Sequence, residues 1–125
     1  MQYQEFGKTG LRVSKLCLGT WGIGGAGWDS YSDESRMDAI KAALECGINF
    51  IDTAPAYNAG KAECYVGETL NKLKKRKEVV ISTKCENKFV DGKYLRCGSK
   101  ESILKQCDES LKNLKTDYID IYLVH

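Results

Sequence analysis

Four ionisable side chains stand at matched places along this chain. Asp52 closes the apolar run Ile48–Ile51, Lys84 follows Val79–Thr83, and His125 follows Tyr118–Val124. Tyr57 comes just after Asp52, beyond a turn that holds Pro55, the one proline. A phenol keeps its proton at neutral pH and gives it up reluctantly. A neighbouring ammonium favours the phenolate, and a carboxylate holds that ammonium charged and in place. An imidazole can hydrogen-bond a substrate oxygen or relay a proton. Together the four suit a carbonyl oxygen that gains negative charge as hydride reaches its carbon.

Each residue alone has an ordinary alternative. Strand-end acids and lysines are commonly solvated or cap a helix, and single histidines and tyrosines are commonly structural. The placement over successive strands is harder to set aside. Side chains two apart share a face of a strand, so Phe50 goes with Asp52, Val80 and Ser82 with Lys84, and Ile121 and Leu123 with His125. If those faces line a barrel interior, the polar groups form the top layer of an apolar well over which Tyr57 leans. Asp120 has the opposite parity to His125 and is expected to face the helices as a structural acid. Parity likewise turns Cys85 away from the four.

The elements that must position these groups alternate between strand and helix. Residues 1–14 read as a β-hairpin, QYQEF and LRVSK flanking the turn GKTG. Residues 15–125 then give a strand over Lys15–Leu18, a glycine-rich loop, and a helix from Ser32 or Asp33 that stops at Gly47. The strand NFID, a helix over about 61–75 and the strand VVIST follow. A long loop over about 85–98 leads to a helix capped by Ser99, and the strand YIDIYLVH comes last. Strands separated by helices imply parallel pairing with right-handed crossovers. An open doubly wound sheet and part of a (β/α)8 barrel both fit, and either puts ligands at the carboxyl ends of the strands.

Gly22, Gly24 and Gly27 spell G-x-G-x-x-G, with an acid closing the next strand. Thr20 and Trp21 separate the strand from the first glycine, and residues 28–31 separate the third from the helix. A Rossmann reading also leaves Lys84 and His125 without a task. A barrel loop that touches a ligand, or a plain flexible loop, accounts for these glycines better. The run KLKKRKE at 72–78 ends a helix, where cations suit the dipole; it is expected to be a solvated helix end.

The bulk numbers narrow the class. The chain has 125 residues, the size of one domain, and a formal net charge of +2. That balance gives no general case for nucleic acid or an anionic membrane. No apolar run approaches the ~20 residues of a spanning helix, and the first residues carry no signal pattern; a cytoplasmic protein is expected. The six cysteines are irregularly spaced with no C-x-x-C, and there is one histidine. No metal site is expected, and the thiols are expected to be free and buried.

The segments GLRVSKLCLGTW, GINFIDTAPAYNAGKAECYVGETL, VVISTK and TDYIDIYLVH resemble, in order, those of the aldo-keto reductase family. The likeness is strongest to the bacterial branch that also resembles potassium-channel β subunits. It implies an α/β fold: the N-terminal half of a (β/α)8 TIM barrel with an N-terminal hairpin, four parallel strands and three helices. It implies NADPH, or less often NADH, as cofactor and a small-molecule carbonyl substrate. The family's catalytic tetrad falls on Asp52, Tyr57, Lys84 and His125. Tyr57 is then the general acid, Lys84 the ammonium that eases its proton release, Asp52 the anchor of Lys84, and His125 the orienting or relaying group. Thr20, Trp21 and Asp52 fall on the family's nicotinamide side. Asn58 replaces the usual glycine of the tyrosine motif, and Ala62 stands where serine is frequent before Glu63.

A complete barrel needs ~250 residues, so the resemblance implies that the adenosine-phosphate site lies in a further half. On that expectation the chain alone is inactive, and its open edge meets a C-terminal half-barrel or a second copy. An NADPH-binding regulatory subunit and a non-catalytic half-barrel module are the competing readings.

Overall fold

The computed structural model describes residues 1–25, 30–90 and 92–125, with residues 88–90 and 94 described by backbone alone. Gly27, the third glycine of the G-x-G-x-x-G run, lies outside the described residues.

The chain opens with the expected hairpin: β1 (Tyr3–Glu5) pairs antiparallel with β2 (Arg12–Ser14). Its turn needs positive φ at both ends, and Gly7 (57°) and Gly10 (76°) supply it. Asn49, just before the second parallel strand, fastens the hairpin to the rest. Its Oδ1 accepts from Ser14 N at 2.6 Å and its Nδ2 donates to Arg12 O at 3.0 Å. Phe6 meets Phe50 edge to face at 5.5 Å. The hairpin therefore covers the end of the sheet opposite the ionisable groups.

Four parallel strands follow in spatial order β3 (Leu18–Gly19), β4 (Phe50–Asp52), β5 (Val80–Cys85), β8 (Ile121–Val124). The register sets Gly19 beside Asp52, Asp52 beside Ser82, and Lys84 beside Leu123. The crossovers are α2 (Asp33–Glu45), α3 (Lys61–Leu73) and α4 (Lys100–Asn113). Ser32 and Ser99 cap α2 and α4 by accepting from the amides of Ser35 and Ser102. The core lies between sheet and helices, where Ile51 and Ile81 meet Ile40, Val66, Leu70 and Leu114. Four adjacent parallel strands with helices on one face are half of a (β/α)8 barrel.

Helices α3 and α4 come close because Gly67 has no side chain. A Cβ there would lie 2.5 Å from the main-chain carbon and oxygen of Leu114. Asp120 behaves as its parity predicts: its Oδ2 accepts from Arg76 Nη2 at 2.8 Å and from Ile81 N at 2.9 Å, tying β8 to β5 on the structural side.

Three expectations need correction. The first parallel strand lies at Leu18–Gly19 rather than Lys15–Leu18, because Lys15 N is engaged by Gln2 O at the hairpin. The segment after Lys84 is a hairpin rather than a loop: β6 (Asn87–Val90) pairs antiparallel with β7 (Lys93–Arg96). A one-turn helix, α1 (Trp21–Gly24), adds to the three expected helices and occupies part of the glycine-rich loop.

Candidate active site

Lys84 is the hub. Strand β5 aims its side chain along the open face of the sheet, toward the carboxyl ends of β4 and β5. Its Nζ donates to both Asp52 carboxylate oxygens at 2.8 Å, to Thr53 O at 2.9 Å and to Tyr57 Oη at 3.2 Å. The lysine side chain is 12% exposed and the aspartate 31%. A nearly buried ammonium needs such a partner set, because removing it from water is otherwise costly. Ser82 and Val80, below it on the same strand face, are buried.

An ammonium has no lone pair, so its contact with Tyr57 has one direction: Lys84 donates and the phenol oxygen accepts. The hydroxyl proton of Tyr57 is therefore directed away from Lys84. His125 completes the group from the end of β8, where its amide is held by Cys85 O at 3.1 Å. The imidazole stands edge to face with Tyr57, ring centroids 6.0 Å apart at 84°. Burial, and then the charge of Lys84, push the His125 pKa below its usual 6.5 against the pull of Asp52. The imidazole is neutral at pH 7 and offers one N–H and one lone pair.

The Tyr57 turn is tight. Tyr57 N bonds Ala54 O at 3.0 Å, and Asn58 and Ala59 both take φ of 52°. Asparagine tolerates that region better than most residues, so Asn58 preserves the backbone shape that a glycine would give. Behind the turn, Glu63 is fully buried. It accepts from Thr83 Oγ1 at 2.7 Å and from Asn113 Nδ2 at 2.9 Å, joining α3 and α4 to the strand residue next to Lys84.

The residues matched to the nicotinamide side divide. Thr20 is buried, and its hydroxyl and amide both donate to Asp52 O at 3.0 Å. It shapes the strand end on which Asp52 sits. Trp21 is 56% exposed at the start of α1. The described cavities are lined by other residues; the larger two, about 540 and 550 Å³, lie near Arg76 and Tyr118 and near Ile23 and Arg36. The four ionisable groups occupy the open face of the sheet instead.

The family model described as "Aldo/keto reductase family" matches residues 15–125. The chain belongs to that family. Aldo-keto reductase YhdN of Bacillus subtilis is 39% identical over 125 residues, covering 100% of this chain and 38% of that protein. The NADH-specific methylglyoxal reductase of Escherichia coli is 43% identical over 137 residues, covering 100% and 42%. Among solved structures, the holo form of aldo-keto reductase AKR11C1 from Bacillus halodurans superposes with a TM-score of 0.89 at 34% identity, covering 100% and 40%. The chain thus spans about two fifths of the length of the relatives it matches.

The chain brings together the three groups read from its strand ends, Asp52, Lys84 and His125, and Tyr57 from the turn after β4. Sequence reasoning missed the buried Glu63, because an acid in the first turn of a helix ordinarily faces water. It also missed the Asn58 side chain, which donates to Gly24 O at 2.6 Å. The thiols were misjudged in part. None of the six is in a disulfide, but Cys17, Cys46, Cys64 and Cys97 are exposed and only Cys85 is buried. No described helix is long and apolar enough to cross a membrane.

Proposed function

We propose that this chain is the proton-transfer half of an NAD(P)H-dependent reductase that converts aldehydes or ketones to alcohols. The observation that carries the reading is Lys84 bridging the Asp52 carboxylate and the Tyr57 phenol. Two of the relatives named above point the same way: one is called an NADH-specific methylglyoxal reductase and another was solved in holo form.

The residues present fit the nicotinamide end of such a cofactor. Exposed Trp21 offers an apolar plane, and the residue before it, Thr20, is bonded to the strand end that carries partly exposed Asp52, an acceptor. Bound NAD(P)H supplies the hydride that reaches the carbonyl carbon. The chain's own groups handle the oxygen. Neutral His125 donates a hydrogen bond that orients it. Tyr57 gives it the hydroxyl proton, so that the carbonyl becomes an alcohol and the phenol a phenolate. Lys84 stabilises that phenolate across 3.2 Å, and Asp52 keeps Lys84 ionised and aimed. The β6–β7 hairpin begins just after β5 and so rises from the end of the sheet that carries Lys84, where it can shape substrate choice.

Activity in this proposal needs the second half of the barrel, which carries the adenosine-phosphate site and pairs with β8. Exposed Leu123 and Val124 mark that edge. The test compares the chain alone with the chain joined to the C-terminal half of the Bacillus subtilis relative, using NAD(P)H and a small reactive aldehyde. Turnover is expected only from the joined barrel. A joined barrel that folds and binds NAD(P)H but reduces no aldehyde or ketone overturns the proposal.

A further inference from the structure

The turn that carries Tyr57 and the turn that carries Trp21 are locked together. Asn58, directly after Tyr57, donates from Nδ2 to Gly24 O at 2.6 Å. Gly24 closes α1, and a side chain there would be crowded: its Cβ would lie 3.1 Å from Tyr57 O and 3.3 Å from Ala62 Cβ. From the other side Arg36 donates through Nη1 to Ile23 O at 2.8 Å and to Gly22 O at 3.4 Å. The last carbonyls of a one-turn helix are orphans that need partners. Here Arg36 takes Ile23 O and Asn58 takes Gly24 O, while Gly22 O also accepts from Gly25 N at 3.2 Å. Arg36 binds them to α2, and Asn58 binds them to the Tyr57 turn.

We infer that Asn58 is a positioning residue whose side-chain amide sets the Trp21 turn against Tyr57, so that the two move as one unit. The roles of Tyr57 and Trp21 rest on the reading under Proposed function; the coupling rests on the bonds just described. A purely conformational role for Asn58, that of tolerating φ of 52°, makes a different prediction. Glycine suits that region at least as well as asparagine, and aspartate nearly as well. Neither can donate to Gly24 O, and the aspartate would face it with a second oxygen.

The test places Asn58→Gly and Asn58→Asp in a Trp28→Phe background, which leaves Trp21 as the single tryptophan of the original two. Trp21 is followed by its indole heteronuclear NOE and by acrylamide quenching. Mobility and quenching are expected to rise in the order Asn, Gly, Asp. In the joined barrel, hydride transfer is expected to fall roughly threefold to tenfold for glycine, the range of one net hydrogen bond, and further for aspartate. Trp21 mobility unchanged in both variants, or aspartate behaving as asparagine does, overturns the coupling. If the indole follows the expected order while every joined barrel is inactive, the positioning role stands and the catalytic reading falls.

Discussion

Both carboxylate oxygens of Asp52 lie 2.8 Å from Lys84 Nζ. The pair is lopsided in its burial, the lysine side chain being 12% exposed and the aspartate 31%. Water can take over from the lysine at Asp52 more easily than it can take over from the aspartate at Lys84.

That asymmetry sets an order of stability. Asp52→Ala strands a nearly buried ammonium with Thr53 O and Tyr57 Oη as its remaining partners. A loss of about 1–3 kcal/mol is expected, the cost of leaving a buried polar group short of partners. Lys84→Met leaves a carboxylate that water reaches and should cost less. Urea denaturation of both variants checks the order; equal losses, or a larger loss for Lys84→Met, contradict it.

His125 is the one histidine, so its imidazole C2 proton can be followed by NMR without assignment. Its midpoint is expected below 6.5, because burial and then Lys84 oppose its charge. Lys84→Met removes the cation and leaves Asp52, so the midpoint should move up. The linkage has a definite sign. Between the depressed folded value and 6.5 the unfolded chain binds a proton that the folded chain refuses, so stability falls as pH falls through that window. A midpoint above 6.5 contradicts the geometry around the ring.

Gly67→Ala tests the contact between α3 and α4. Its new methyl would meet the Leu114 main chain at 2.5 Å, where no flexible side chain can yield. A loss of about 1–3 kcal/mol is expected from overpacking. Gly22→Ala, with nothing within 4 Å of the added Cβ among the described residues, is the control and should change stability by about 1 kcal/mol or less. Thermal denaturation distinguishes the two.

Much of this site was legible from the chain because strand parity is a strict rule. Asp52, Lys84 and His125 lie at or beside the carboxyl ends of their strands, and the structure brings them to Tyr57 as the alternation implies. Asp120 and Cys85 turn away by the same rule. Glu63 was not legible: its burial depends on Asn113, 50 residues away. The β6–β7 hairpin carried a signal that went unused. The dipeptide Asp-Gly in the sequence at 91–92 is a common hairpin-turn signal; of the two, Gly92 is described and takes φ of 78°. The thiols were misjudged because cysteine's usual preference for burial does not bind a residue that packing leaves at a helix surface, as with Cys46 and Cys64.

The central claim is that Tyr57 gives its hydroxyl proton to a carbonyl oxygen beside Lys84. Single-turnover hydride transfer in the joined barrel, compared between the unaltered protein and Tyr57→Phe, tests it most directly. The variant is expected to bind NAD(P)H normally and to transfer hydride about 10²–10⁴-fold more slowly, the range of general acid catalysis. A Tyr57→Phe barrel that transfers hydride at the unaltered rate contradicts the account.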